Sequence, residues 1–149
     1  MGLGDAAQTV AGQAVMLEEF LAREAAAGRL EALRQRLRPA TQPILLHGHC
    51  HQKAFAAVNP ILEVLKLIPG AQPQLIESSC CGMAGSFGYE AAHHDTSMQM
   101  AELSLLPAVR QHPDAIVVAD GTSCRHQIHD GAQREAVHVA RLLADHLGR

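Results

Sequence analysis

The run AIVVADGTSC, Ala115 to Cys124, decides the fold class. Ala115 to Ala119 is continuously apolar and β-branched, which predicts a strand covered on both faces, as in a parallel sheet. Asp120 to Ser123 then turns the chain. Ser123 reads as the N-cap of a short helix from Cys124 to about Asp130. A thiol in that first turn lies among unpaired amides, whose dipoles are expected to lower its pKa.

Upstream the same order of strand, cysteine and helix recurs. Pro43 to His49 (PILLHGH) predicts a central strand with Cys50 at its carboxyl end. Helix follows from Gln52, and Asn59-Pro60, an N-cap before a helix-starting proline, predicts a second short helix ending near Ile68. Gln74 to Glu77 (QLIE) predicts a strand, after which Ser78 to Gly88 is too rich in Gly and Ser to continue it, and Cys80 and Cys81 fall there. Tyr89 to Arg110 reads as helical, with Met98, Ala101, Leu105 and Val109 on one face and Pro107 kinking or restarting the last turn. Val15 to Leu37 reads as helix with a break at Gly28. Val137 to Val139 predicts a short fourth strand before a helix from Ala140 to Leu147. Residues 1–14 show no periodicity and are expected to form a disordered leader or the remnant of a longer chain.

Strand followed by helix several times over gives an α/β fold of three layers: a small, mainly parallel sheet of three to four strands flanked by helices, Rossmann-like in plan. Ligands of such sheets gather outside the carboxyl ends of the strands. Cys50, Cys80, Cys81 and Cys124 all fall there.

The composition narrows the chemistry. With 149 residues the chain matches one domain, and a net charge of -3 offers no basic surface for nucleic acid. No apolar run approaches the roughly 20 residues of a membrane span, and the first residues carry Asp5 with no basic segment ahead of an apolar run, so a soluble cytoplasmic protein is expected. Four cysteines in a reducing compartment point to metal binding or redox chemistry before structural disulfides.

Adjacent cysteines cannot bond to each other without strain, so Cys80-Cys81 reads as two thiolates presented to something else. Thiolates suit zinc or iron-sulfur ligation, which makes Cys50, Cys80, Cys81 and Cys124 the candidate metal ligands. A reversible thiol-disulfide role is the other chemistry open to them. Gly82, Gly85 and Gly88 recur every third residue, a spacing that either brings backbone amides close to a cluster or anion or answers a loop's need for positive φ. His49 and His51 flank Cys50, and His126 lies two residues beyond Cys124. These three are candidate substitute ligands, proton carriers or donors to sulfur.

The stretches HGHCHQKA (His47 to Ala54), SSCCGMAGSFGYE (Ser78 to Glu90) and DGTSCRHQIHDG (Asp120 to Gly131) resemble the cysteine-rich CCG domain. That domain occurs in heterodisulfide reductase, in the iron-sulfur subunits of glycolate oxidase and anaerobic glycerol-3-phosphate dehydrogenase, and in lactate-utilisation proteins. The likeness is greatest to the C-terminal part of FAD-linked oxidases of the D-lactate and D-2-hydroxyglutarate dehydrogenase kind. It implies that residues 15–149 are a CCG domain, the second repeat of a longer polypeptide, holding a cluster of the [4Fe-4S] type. It also implies a FAD domain elsewhere and electron transfer to a quinone, cytochrome or protein acceptor, in the cytoplasm or peripherally at the inner face of the membrane. The alternative is a zinc-stabilised or thiol-redox module that docks the flavin domain or a membrane partner. The fragment is not expected to turn over alone. One departure stands out: the family's last motif is CxxC, and Gly121 occupies its first position.

Overall fold

The computed structural model describes residues 4–148. Strands β1 (Ile44–His47), β2 (Pro73–Leu75), β3 (Ile116–Ala119) and β4 (Ala136–Val137) form one parallel sheet in the order β2-β1-β3-β4. The expected α/β class, a parallel sheet between helical layers, is the observed one. In the central pair Ile44 lies opposite Ile116 and His47 opposite Ala119.

Alternate side chains of a strand face opposite ways, so each central strand feeds two cores. Ile44, Leu46 and Val118 pack with Ile61, Val64 and Leu65 of α5 (Val58–Leu65) and with Val139 and Leu142 of α9 (Val139–His146). Leu21, Ala22 and Ala25 of α2 (Leu17–Ala26) close this layer. On the other face, Leu45, Val117 and Ala119 pack with Leu105 and Val109 of α7 (Leu105–Gln111) and with Cys124 and Ile128 of α8 (Thr122–Ala132). The thiol of Cys124 is thus part of a core as well as of an edge.

Several boundaries differ from the sequence expectation. Gly4–Gln13, placed in a disordered leader, forms helix α1 with no buried residue. Alanine's propensity supports such a helix, while the apolar periodicity that reveals packed helices is missing because nothing is packed. Residues 1–3 of that leader, and Arg149 at the end of the expected domain, lie outside the described residues. The break at Gly28 is present: its φ of 71° separates α2 from α3 (Glu31–Arg34).

The helix after β1 divides as expected, into α4 (Cys50–Ala54) and α5, but α5 starts at Val58 with Ala57 as its N-cap, ahead of Asn59-Pro60. The long helical region also divides, into α6 (His94–Glu102) and α7, and the restart is at Ser104, ahead of Pro107. Each proline sits at the third helical position, where its missing N–H would have had no intrahelical acceptor in any case. The N-cap of α8 is Gly121, and Ser123 lies inside the helix. No helix among the described residues is long and apolar enough to cross a membrane.

Behind the carboxyl edge, Asp120 Oδ2 accepts from Gln52 Nε2 at 2.8 Å and Oδ1 from the Val139 amide at 3.0 Å, and the Gln52 oxygen accepts from the His49 amide at 2.9 Å. This carboxylate ties the starts of α4 and α9 to the end of β3. Glu18 lies nearby and is 4% exposed; burial raises its pKa, and the Asp120 charge adds to the rise.

Two expectations test this packing. Leu46→Ala empties a fully buried position of the central strand and should cost about 3 kcal/mol in urea unfolding, whereas Leu75→Ala, at 40% exposure on the edge strand, should cost less than about 1 kcal/mol. For Glu18, a folded-state pKa above the unfolded one means that stability is complete below the ordinary carboxyl range and is lost as pH rises through the raised value. Glu18→Gln should therefore be more stable than the parent at pH 8, by on the order of 1 kcal/mol, with the difference closing towards pH 4. Paired thermal melts across that range measure it.

Candidate metal centre

β1 and β3 are adjacent, and the connections leaving their carboxyl ends go to opposite faces of the sheet: α4 and α5 to one, α8 to the other. The crevice opened at such a switch point receives the ends of both strands. Cys50 begins α4, Cys80 and Cys81 lie in the loop after β2, and Cys124 is in the first turn of α8. Folding brings all four to this edge as two pairs. Cys50 donates to the Cys80 sulfur at 3.4 Å, and Cys124 donates to the Cys81 sulfur at 3.4 Å. The vicinal cysteines are the acceptors in both pairs, and the Gly82 amide adds a third donor, 3.3 Å from Cys80 Sγ.

The two pairs differ in access. Cys50 and Cys80 are half-buried, whereas Cys81 and Cys124 are 2% and 0% exposed. The Cys124 S–H holds Cys81 as a thiolate, with its pKa brought down to about 4; contact with His47 contributes, and burial opposes. Cys124 itself is pushed up, first by hydrogen bonding to Cys81 and then by burial. This reverses the sequence expectation that helix dipoles would lower Cys124. A fully buried thiol beside a thiolate keeps its proton, whatever the helix offers. Cys50 is also raised, by burial and by its bond to Cys80.

The candidate histidines fare differently. His49 caps α4, its Nδ1 accepting from the His51 amide at 3.2 Å, and its ring lies over Gly121. His51 is exposed and stands against Phe55, with ring centroids 4.7 Å apart. His126 is exposed, and its Nδ1 lies 2.7 Å from Tyr89 Oη. Gly82 and Gly85 both adopt positive φ, 91° and 70°. Gly82 also abuts the carbonyl of Ser97 in α6, so a methyl group there would collide, while Gly85 faces open space.

His47, the last residue of β1, is a site residue that the sequence reading missed. It is fully buried, and one ring nitrogen lies within 4.8 Å of the sulfurs of both Cys81 and Cys124, which are themselves within that distance of each other. Nδ1 is 2.9 Å from Ser78 Oγ, while Nε2 is buried without a hydrogen-bond partner. Lys53 reaches across to donate to the Ser78 carbonyl and, at 3.1 Å, to that of Ser79, clamping the loop that carries the vicinal pair. One signal was present: His47 directly follows the apolar residues Ile44 to Leu46, two residues after Leu45 and so on the sheet face that carries Cys124.

The donor set fits a soft or borderline metal. Sulfurs 3.4 Å apart are slightly closer than the edge of a tetrahedron with bonds of roughly 2.3 Å, about 3.8 Å, so a small outward movement would admit an ion. A buried imidazole with one nitrogen within 4.8 Å of two sulfurs, and with Nε2 unpartnered, fits a cation better than an empty core.

No family model matches the chain. No solved structure matches it. The chain is similar to a subunit of the anaerobic glycerol-3-phosphate dehydrogenase of Escherichia coli (strain K12), with 30% identity over 111 residues, covering 74% of this chain and 28% of that protein. It is also similar to D-2-hydroxyglutarate dehydrogenase of the same strain, 41% identical over 59 residues (40% of this chain, 6% of that protein). The corresponding Pseudomonas putida enzyme is 32% identical over 72 residues (48% of this chain, 7% of that protein). The chain therefore spans 28% or less of the length of these relatives. Together with the cysteine cluster, these similarities identify an oxidoreductase-related domain with a site able to bind metal.

Proposed function

We propose that the chain is an iron-sulfur electron-transfer domain of a FAD-linked 2-hydroxy-acid oxidoreductase, of the D-lactate, glycolate or 2-hydroxyglutarate class, relaying electrons from flavin to a quinone, cytochrome or protein acceptor. The observation that carries this reading is the gathering of four cysteine sulfurs and a buried imidazole at one edge of the sheet. Cys50, Cys80, Cys81 and Cys124 are the proposed ligands. A group of this kind, when bound, accepts and releases single electrons at a potential set by its ligands, by hydrogen bonds to sulfur and by exclusion of water.

The chain's own residues supply those settings. The Gly82 amide donates to Cys80, lowering the energy of negative charge on that sulfur. The burial of Cys81 and Cys124 keeps water from the inner side of the site, while Cys50 and Cys80 face outward. At the far end of the helix that Cys50 begins, Phe55 is 69% exposed, which suits contact with a flavin domain or an acceptor. A zinc-stabilised docking module is the second reading. It is favoured by the small triangle of His47, Cys81 and Cys124, whose 4.8 Å span suits one tetrahedral ion.

Anaerobic reconstitution with iron and sulfide, read by metal content and by electron paramagnetic resonance after reduction, separates the two readings: stoichiometric iron supports the relay, and one zinc per chain with no iron supports the module. In the full-length enzyme, Cys81→Ser should slow flavin reoxidation by the acceptor roughly 100-fold while leaving flavin reduction by substrate within about 3-fold. Equal loss of both half-reactions would show that the cysteines serve folding or substrate binding instead.

A further inference from the structure

The family pattern that the cysteines resemble has a fifth thiolate where this chain has Gly121, and the fold shows both why no side chain fits there and which other residue can donate. A Cβ on residue 121 would lie 2.9 Å from Cys124 Sγ and 3.2 Å from His49 Nε2, with the His49 ring carbon closer still. The His49 imidazole thus occupies the volume that a side chain at 121 would need. It is nevertheless a poor ligand in this pose. Its Nδ1 accepts the His51 amide proton, so the neutral ring carries its own proton on Nε2 and has no free lone pair for a metal.

His47 has the opposite arrangement. Its Nδ1 is paired with Ser78 Oγ, its Nε2 is buried and unpartnered, and the two most buried sulfurs lie within reach. Leaving a buried ring nitrogen unsatisfied carries the full cost of its desolvation. A metal ligated through Nε2, with Nδ1–H donating to Ser78, removes that cost. A second ring nitrogen held by a hydroxyl or carboxylate is also how ligating histidines are usually oriented. We propose that His47 Nε2 ligates the metal together with Cys81 and Cys124, supplying the donor that Gly121 lacks, while the His49 ring fills the space that a side chain at 121 would need. This rests on the metal-centre reading of the site. Ser78 is then a positioning residue, and Lys53 steadies its loop.

Zinc serves as the probe because it has no redox chemistry and its bonds to nitrogen and sulfur differ in length. X-ray absorption at the zinc edge of the zinc-loaded full chain should show one imidazole at roughly 2.0 Å beside thiolates at roughly 2.3 Å. His47→Gln should lose the imidazole signature and bind zinc roughly 100-fold more weakly; His49→Gln should keep the signature. Ser78→Ala, which leaves the buried ring in place, should keep it with an affinity about 10-fold lower. A wild-type spectrum with sulfur ligands alone, or an imidazole signature lost in His49→Gln and kept in His47→Gln, overturns the assignment while leaving the metal centre standing. Failure of the wild-type chain to bind zinc or iron at all would overturn both. The wild-type spectrum and Ser78→Ala keep the test decisive should His47→Gln not fold. A reciprocal check is steric: Gly121→Cys should destabilise the chain unless His49→Ala is made with it.

Discussion

The parallel pairing of β1 with β3 is the constraint on which the rest of the molecule depends. It runs from Ile44 and Ile116 to His47 and Ala119, and it decides which side chains meet on each face of the sheet. A slip of one residue would send Leu45 and His47 to the face of α5 and α9 and leave Cys124 without its neighbours. In the observed register the two strands end level, so the chain segments that follow them, with Cys50 and Cys124, start from one edge.

The edge is held from behind by polar contacts and in front by sulfur. Asp120 accepts from Gln52 and from the Val139 amide, so helices on both sides of the strand end are fixed by one carboxylate. In front, the sulfurs satisfy one another in pairs, and His47 contributes a buried Nε2 with no partner. Polar groups that a fold buries without satisfying are uncommon, and this one lies among thiols, in a site able to bind metal.

Close approach explains the glycines better than flexibility does. Gly82 lets the loop after the vicinal pair lie against Ser97, where Gln127 Nε2 also donates to the Ser97 carbonyl and hydroxyl, both at 3.0 Å. Gly121 lets the His49 ring lie against the turn that follows β3. Each absent side chain corresponds to a neighbour that stands in its place, Ser97 at Gly82 and His49 at Gly121.

The amino-acid sequence by itself determined the class of fold and the location of the chemistry. The apolar, β-branched run at Ala115 to Ala119 and the short apolar run at Pro43 to His49 suit a sheet covered on both faces, and cysteines that follow such strands fall at the carboxyl edge. Helix starts were less legible. Asn59-Pro60, Pro107 and Ser123 are sound local signals, yet each helix begins two residues earlier than they indicate, since the first turn leaves its N–H groups free in any case. Which cysteine is ionised, which histidine faces sulfur and why residue 121 is glycine were decided by the tertiary structure alone. Those outcomes depend on burial and on atoms brought together from segments some 30 to 70 residues apart, and pairwise distance, unlike periodicity, leaves no local trace in a sequence.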